Sequence, residues 1–248
     1  MNHRDTFDAT ETMLLQHQDA LREHGWTVLE PELLRDDVPG TLRRFGVFIP
    51  QFNGLETYEV TYKPGFDALP YSQSKNGIGP HTEAPVYDPP PKYLALHCHR
   101  QAACGGGQTL LSDGFAFFKS LTPELQQWAR THPIAFSATT EPGSTQRRQH
   151  DAPMMREENG EPVFRFSYNL FRFGDVNPSE SDMAAASAAD DAGPLARIAL
   201  QGEAFFLDNM ISVLIPEGSV LIWDNRRLMH ARSQYTDPVR HLTRYWIN

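Results

Sequence analysis

The stretch Gly79-Pro80-His81-Thr82-Glu83-Ala84-Pro85 sets an imidazole and a carboxylate two residues apart. Side chains on a strand alternate between faces, so on a strand His81 and Glu83 share one face, their backbones roughly 6–7 Å apart. Two ligands are too few to hold a catalytic metal ion, and a third must come from elsewhere in the chain. His230 is the candidate, following the apolar run Val220-Leu221-Ile222-Trp223 and the polar turn Asp224-Asn225-Arg226. Two histidines and one carboxylate occupy one face of an octahedron and leave the opposite positions open, the arrangement of non-haem Fe(II) oxygenases. His81, Glu83 and His230 are therefore read as metal ligands. His-x-Glu by itself is a weak signal, and its weight comes from the residues around it.

The rest of the chain must position those three side chains. With 248 residues, 40% of them hydrophobic and 21% charged, the composition is globular, and one domain is expected. A formal net charge of -9 argues against general affinity for nucleic acid or an anionic membrane and favours a small-molecule partner. Two cysteines, Cys98 and Cys104, are too few for a disulfide framework, and no apolar run approaches the roughly 20 residues of a membrane span. The polar N-terminus leads into no signal-peptide core. These features together predict a cytoplasmic location.

Apolar spacing predicts an outer helix over residues 10–24 ending at Gly25, a strand over 25–30, and a short helix over 38–45 leading towards Val47-Phe48-Ile49. Alternation of β-branched and aromatic residues predicts a half-buried strand over 57–63. Residues 65–79 have the Gly- and Pro-broken composition of a loop that approaches a ligand, and 92–100 read as a core strand. The turn Gly105-Gly106-Gly107 leads into Gln108-Thr109-Leu110-Leu111, and a helix over 123–132 takes Thr122 as its N-cap. The charged segment 139–161 lacks apolar periodicity and reads as a long loop or lid. Residues 163–173 suggest a strand followed by aromatic side chains, and the Ala-rich 179–209 suggest two helices joined at Gly193-Pro194. Four short strands, at 211–215, 219–224, 228–232 and 240–247, finish the chain. The expected class is mainly β with flanking helices, a sandwich or barrel rather than a parallel sheet.

His81-Thr82-Glu83, Gly106-Gly107-Gln108-Thr109, Trp223-Asp224-Asn225-Arg226, His230 and Arg240-His241-Leu242-Thr243-Arg244 stand in an order that resembles the taurine dioxygenase and clavaminate synthase superfamily. The resemblance spans about residues 57–248 and is more specific than any single motif. It implies a double-stranded β-helix, the jelly-roll core shared with cupins, with residues 1–56 as an N-terminal cover. It also implies Fe(II), 2-oxoglutarate and O2 as cofactor and cosubstrates. A glutamate in the ligand motif is commoner on the clavaminate synthase and amino-acid hydroxylase side, which tilts the substrate towards a small amino-acid-like or acidic metabolite. Such a centre needs a cation for the distal carboxylate of 2-oxoglutarate, and the planar guanidinium suits bidentate pairing. Arg240 and Arg244 both qualify, four residues apart on a predicted strand and so on one face. The resemblance assigns Arg240 to 2-oxoglutarate, with Thr109 as a hydroxyl donor to the same carboxylate, and Arg244 to substrate. The short interval from His230 to Arg240 leaves an exchange of the two arginines open.

Plainer readings stand beside these. Asn76 is a candidate for substrate or cosubstrate binding, with a turn role as its alternative. His97 and His99 form a same-face pair, yet no third ligand accompanies them in the sequence, and a hydrogen bond across the sheet is the simpler reading. Cys98 and Cys104 read as small buried or turn residues, Phe164, Phe166 and Phe171 as core, and Trp223 as packing. The leading expectation is a dioxygenase that oxidises an unactivated C–H bond and releases succinate and CO2. The alternative is a cupin-like metal-dependent isomerase or small-molecule-binding protein that does not use 2-oxoglutarate, with a purely structural domain as a further rival.

Overall fold

The computed structural model describes residues 3–34, 37–67, 71–139, 147–176, 178, 183–184 and 193–248. Its centre is a pair of antiparallel sheets. One has five strands in the order β1 (Trp26–Leu29), β11 (Val220–Asp224), β4 (Tyr93–Arg100), β13 (His241–Ile247) and β2 (Thr57–Thr61). The other has four: β10 (Ile211–Val213), β5 (Thr109–Asp113), β12 (Leu228–Arg232) and β3 (Ile78–His81). This is the mainly β jelly roll that the sequence predicts, and all its strand pairs are antiparallel.

The two-residue period of each strand decides what lies between the sheets. Leu94, Leu96 and Cys98 of β4, Leu221 and Trp223 of β11, and Leu242 and Trp246 of β13 point inward and meet Leu111 and Leu228 of the second sheet. The alternate residues face out. On the five-stranded sheet Ala95, Val220, Ile222, Tyr245 and Ile247 pack under the N-terminal helices, of which α1 (His3–His24) contributes Leu14 and Leu21, seven residues apart on one helical stripe. The helix begins well before residue 10 and stops where expected: Gly25 adopts φ 81° and its N–H returns to the Leu21 carbonyl at 3.0 Å. Short helices α2 (Pro31–Leu34) and α3 (Val38–Leu42) complete this cover; α3 is shorter than predicted, and Phe48 adds only an isolated bridge to Ile247.

On the four-stranded sheet, Met229 and Ala231 of β12 face outward into a second apolar layer. That layer is built by α4 (Gly114–Ser120), α5 (Pro123–Thr131), α6 (Tyr168–Phe173) and α7 (Pro194–Asn209). Thr122 caps α5 through its Oγ1, which accepts from the Leu125 N–H. Phe164, Phe166 and Phe171 are all at most 5% exposed in this layer, so they are core. The predicted first helix of 179–209 falls mainly outside the described residues; the second is α7, opening at Pro194.

The segment 139–161 departs from the expected long loop. Outside residues 140–146, which are not described, it forms hairpins: β6 (Ile134–Thr139) pairs β7 (Arg147–Ala152), and β8 (Met155–Glu158) pairs β9 (Glu161–Phe164). Arg148, Asp151 and Glu157 are exposed while Phe136, Ala138, Ala152, Met154 and Met155 are buried beneath, so the apolar partners are distributed over several strands. Asn159 (φ 53°) and Gly160 (φ 81°) make the two-residue turn between β8 and β9.

Candidate active site

His81 and His230 are direct partners across the β3–β12 ladder, and their rings lie 4.1 Å apart between centroids, on the inner side of the four-stranded sheet. Glu83 reaches them differently from expectation. β3 ends at His81, and the carboxylate is presented by a bend beyond the strand rather than by strand alternation. Thr82 anchors that bend from the other side: its N–H donates to the Phe166 carbonyl at 2.8 Å and its Oγ1 accepts from the Phe166 N–H at 3.0 Å. Asn225, fully buried in the turn after β11, closes it: its Oδ1 accepts from the Glu83 N–H at 2.6 Å, while its Nδ2 donates to the carbonyls of Glu83 and Pro91. Ala84 then takes φ 50°, a left-handed conformation that turns the chain away.

The result is a compact ligand set. Glu83 Oε2 lies 3.9 Å from His81 Nε2 and 3.7 Å from His230 Nε2, and one ligand atom from each of the three residues falls within 4.8 Å of the others. The Nδ1 of His81 sits 2.9 Å from the Gly79 carbonyl; a proton there leaves the Nε2 lone pair facing the carboxylate. Burial, then the neighbouring His230, push His81 down to about 3. Burial opposes ionisation of Glu83, yet the Arg244 guanidinium beside it and the neighbouring His230 and His81 rings hold its carboxyl down at about 2. Neutral imidazole and ionised carboxylate are the forms that ligate a metal.

Two clefts meet at this set, sharing His81, Glu83 and Arg244 in their walls. The inner one, about 510 Å³ with its open mouth included, reaches Thr109, Arg240 and Arg232. Arg240 is 1% exposed; its Nε donates to the Gly107 carbonyl at 3.1 Å, and its Nη1 is buried without a partner among the described residues. A buried guanidinium with an unpaired N–H at the end of a cleft fits a carboxylate arriving there. Gly107 (φ 73°) makes room for it, since a Cβ at that position would stand 2.7 Å from Arg240 Nε. Thr109 opens β5 and is buried on the same wall.

The outer cleft, about 880 Å³ and open to solvent, has Tyr58, Tyr71, Ser167, Asn169 and Arg244 on its walls. Arg244 pairs with Glu83 Oε1 at 2.8 Å, donates from Nε to Gln51 Oε1 at 2.8 Å, and lies over the rings of Tyr58 and Trp246. Asn76 is not brought to either cleft. Its side chain donates to the Asp67 carbonyl, and its own carbonyl accepts from Arg232. Trp223 packs as expected, though its ring stands 5.0 Å from the His230 imidazole.

Sequence reading missed Asn225, Arg232 and Gln51. Arg232 lies two residues after His230 and so shares its inward face, and its guanidinium donates to the carbonyls of Tyr71, Ser72, Ser74 and Asn76, tying down the loop before β3. Burial lowers it to about 10. The spacing to His230 was a usable signal; Gln51 had none. His97 and His99 stand on the outer face of β4, away from the clefts, where His99 Nε2 lies 2.7 Å from Thr243 Oγ1 across the sheet. Contrary to expectation further ligands do accompany them: Glu59 and His241 crowd the same spot. Cys98 is buried in the core and Cys104 is exposed.

No curated protein sequence matches the chain at significance. Solved structures do. An asparagine oxygenase in complex with Fe(II), 2S,3S-3-hydroxyasparagine and succinate superposes with a TM-score of 0.70 at 16% identity, covering 96% of this chain and 79% of that one. The non-heme iron oxygenase OrfP with Fe and alpha-ketoglutaric acid gives 0.60 at 17% identity, covering 97% and 79%. PvcB, an Fe, alpha-ketoglutarate dependent oxygenase from an isonitrile synthetic pathway, gives 0.62 at 16% identity, covering 97% and 81%. At these identities the likeness speaks for the fold. Residues 4–246, nearly the whole chain, match the sequence profile described as taurine catabolism dioxygenase TauD, TfdA family, and the chain belongs to that family of Fe(II)- and 2-oxoglutarate-dependent dioxygenases.

Proposed function

We propose that this dioxygenase oxidises an unactivated C–H bond of a small amino-acid-like or otherwise acidic metabolite, hydroxylation being the default outcome. In this reading His81, Glu83 and His230 hold Fe(II), Arg240 with Thr109 receives the distal carboxylate of 2-oxoglutarate, and Arg244 faces the acidic group of the substrate. The observation that carries it is the unpartnered Nη1 of buried Arg240 in a cleft that opens on to the His81, Glu83 and His230 set. With Fe(II), 2-oxoglutarate and dioxygen bound, such a centre couples decarboxylation to succinate and CO2 with oxidation of the substrate.

The chain's own residues supply placement. His81 and His230 would ligate through Nε2, oriented by their paired strands, and Glu83 divides its oxygens between the ligand set and Arg244. Leu94, Leu96 and Trp223 give the inner cleft an apolar wall. The outer cleft offers polar groups from Ser167, Asn169 and the Tyr58–Tyr71 hydroxyl pair, 2.9 Å apart, to a ligand bearing amino and carboxyl groups. The hydroxyasparagine and hydroxyarginine named in the structurally similar oxygenases support this substrate class. Family membership weighs against the isomerase and binding-protein alternative.

The test is succinate release from 2-oxoglutarate under Fe(II) and air across a panel of free amino acids, peptides and other acidic metabolites. Stimulation by at least one amino-acid-like compound, with a product about 16 mass units heavier, is expected for a hydroxylation (one oxygen gained). Stimulation confined to compounds lacking both an amino and an acidic group would overturn the substrate class.

A further inference from the structure

The outer face of the five-stranded sheet is only partly covered. Helices α1 to α3 pack over Ala95, Val220, Ile222, Tyr245 and Ile247, and beyond them the same face displays His97 and His99 of β4, His241 and Thr243 of β13, and Glu59 of β2. One ligand atom each from Glu59, His99 and His241 lies within 4.8 Å of the other two. Glu59 Oε2 stands 2.5 Å from His241 Nε2, Thr243 Oγ1 donates to Glu59 Oε1 at 3.1 Å, and the ring centroids of His99 and His241 are 4.6 Å apart. The His97 ring follows at 4.3 Å from His99. Three imidazoles are thus gathered around one carboxylate on three adjacent strands, on the opposite face of the sheet from the clefts.

We propose that Glu59, His99 and His241 form a second divalent-metal site, independent of the His81, Glu83 and His230 centre, that takes a borderline ion of the Zn(II) type. The donor set selects the ion: two imidazoles and one carboxylate suit Zn(II), whereas Mg(II) and Ca(II) take oxygen ligands. Tetrahedral bonds of about 2.0–2.1 Å place ligand atoms about 3.4 Å apart, a spacing that side-chain rotation reaches from the present one. The fourth position is open to water or to His97. Because each ligand comes from a different strand, the ion clips edge strand β2 to β13 and β4.

The experiment is equilibrium dialysis of the full chain against Zn(II), with bound metal measured directly. Wild type should hold two equivalents, His81→Ala/His230→Ala one, His99→Ala/His241→Ala one, and the four-fold variant none. A His99→Ala/His241→Ala protein that still holds two equivalents overturns the second site. A His81→Ala/His230→Ala protein that still holds two leaves it standing and instead undercuts the first. Glu59→Gln, an exposed substitution in an otherwise intact chain, serves as the check that does not depend on double variants folding. It should weaken the second equivalent at least tenfold and leave the first unchanged, and an unaltered second equivalent overturns the proposal.

Discussion

At the scale of single residues the site is governed by how one carboxylate is shared. Glu83 turns Oε2 to the two imidazoles and Oε1 to Arg244, so its charge is balanced from both sides and it stays ionised in spite of burial. Arg240, by contrast, has a buried N–H with nothing among the described residues to receive it. Arg240→Ala should therefore weaken 2-oxoglutarate binding by about 1.5–3 kcal/mol, ten- to a hundredfold, as read by titration of the anaerobic Fe(II) protein. If that affinity is unchanged while Arg244→Ala abolishes it, the two arginines have exchanged roles. His230→Ala should lose the metal of the His81, Glu83 and His230 centre, and turnover with it, with far-ultraviolet circular dichroism unchanged, and wild-type turnover in that variant would sink the ligand assignment. Proton linkage gives a third expectation for the metal-free protein. His81 is lowered from 6.5 to about 3 and Glu83 from 4.5 to about 2, so the unfolded chain takes up their protons first as pH falls. The stability these groups contribute is complete above about pH 6.5 and is lost as pH falls through the folded values. Urea unfolding at successive pH values should show this loss, with a shallower slope in His81→Asn; equal slopes would contradict it.

At the scale of elements, the two histidines are fixed by a ladder and the carboxylate by a bend. The bend depends on Asn225, which satisfies the Glu83 N–H and two carbonyls at no exposure. Asn225→Ala strands those groups, and burying an unsatisfied polar group costs about 1–3 kcal/mol each, so a stability loss of that order with weaker metal retention is expected. Urea midpoints and metal analysis check it; a loss of stability with metal affinity intact would mean that Asn225 supports the fold but not Glu83. The same bend shows where sequence reasoning reaches its limit. His-x-Glu was legible as a ligand pair, but strand alternation was the wrong geometry for it. Strand β3 stops at His81, and the path of the chain through Thr82 and Glu83 is shaped by contacts to Phe166 and Asn225, 84 and 142 residues away. Strands with their own alternation, such as β4 and β11, were legible because each residue's face is set by its neighbours. The hairpins of 147–164 were not, since their apolar partners are spread over several segments, although Asn159-Gly160 was an available turn signal. The Glu59, His99 and His241 cluster was hidden for the same reason, with its members on three strands.

Over the whole molecule, each sheet has an inner face turned to the other and an outer face covered by helices, only in part on the five-stranded sheet, and the ligand set lies between the sheets with its histidines on one and Arg244 on the other. The N-terminal stretch belongs to this arrangement as well as covering it. Its β1 pairs with β11, and Gln51, 2% exposed, reaches across 193 residues of sequence to Arg244. Gln51 Oε1 accepts from Arg244 Nε, and Gln51 Nε2 donates to the Arg244 and Glu56 carbonyls. That grip fixes the guanidinium between Glu83 and the outer cleft. Gln51→Ala removes it without touching the three ligands or Arg240. The expected cost is about 1–3 kcal/mol of stability from the exposed carbonyls and the freed Nε. The functional cost should fall on substrate rather than cosubstrate: a raised KM for substrate, near-normal 2-oxoglutarate affinity, and more succinate formed per product as substrate is held less firmly. Gln51→Glu should behave differently, because a second carboxylate competes with Glu83 for Arg244 and so raises the pKa of Glu83, shifting the acid limb of metal binding to higher pH. Parallel measurement of substrate KM, 2-oxoglutarate affinity and coupling ratio in both variants separates these outcomes. An equal loss of 2-oxoglutarate and substrate affinity in Gln51→Ala would show that Arg244 serves the cosubstrate, and the division of the two clefts would have to be reversed.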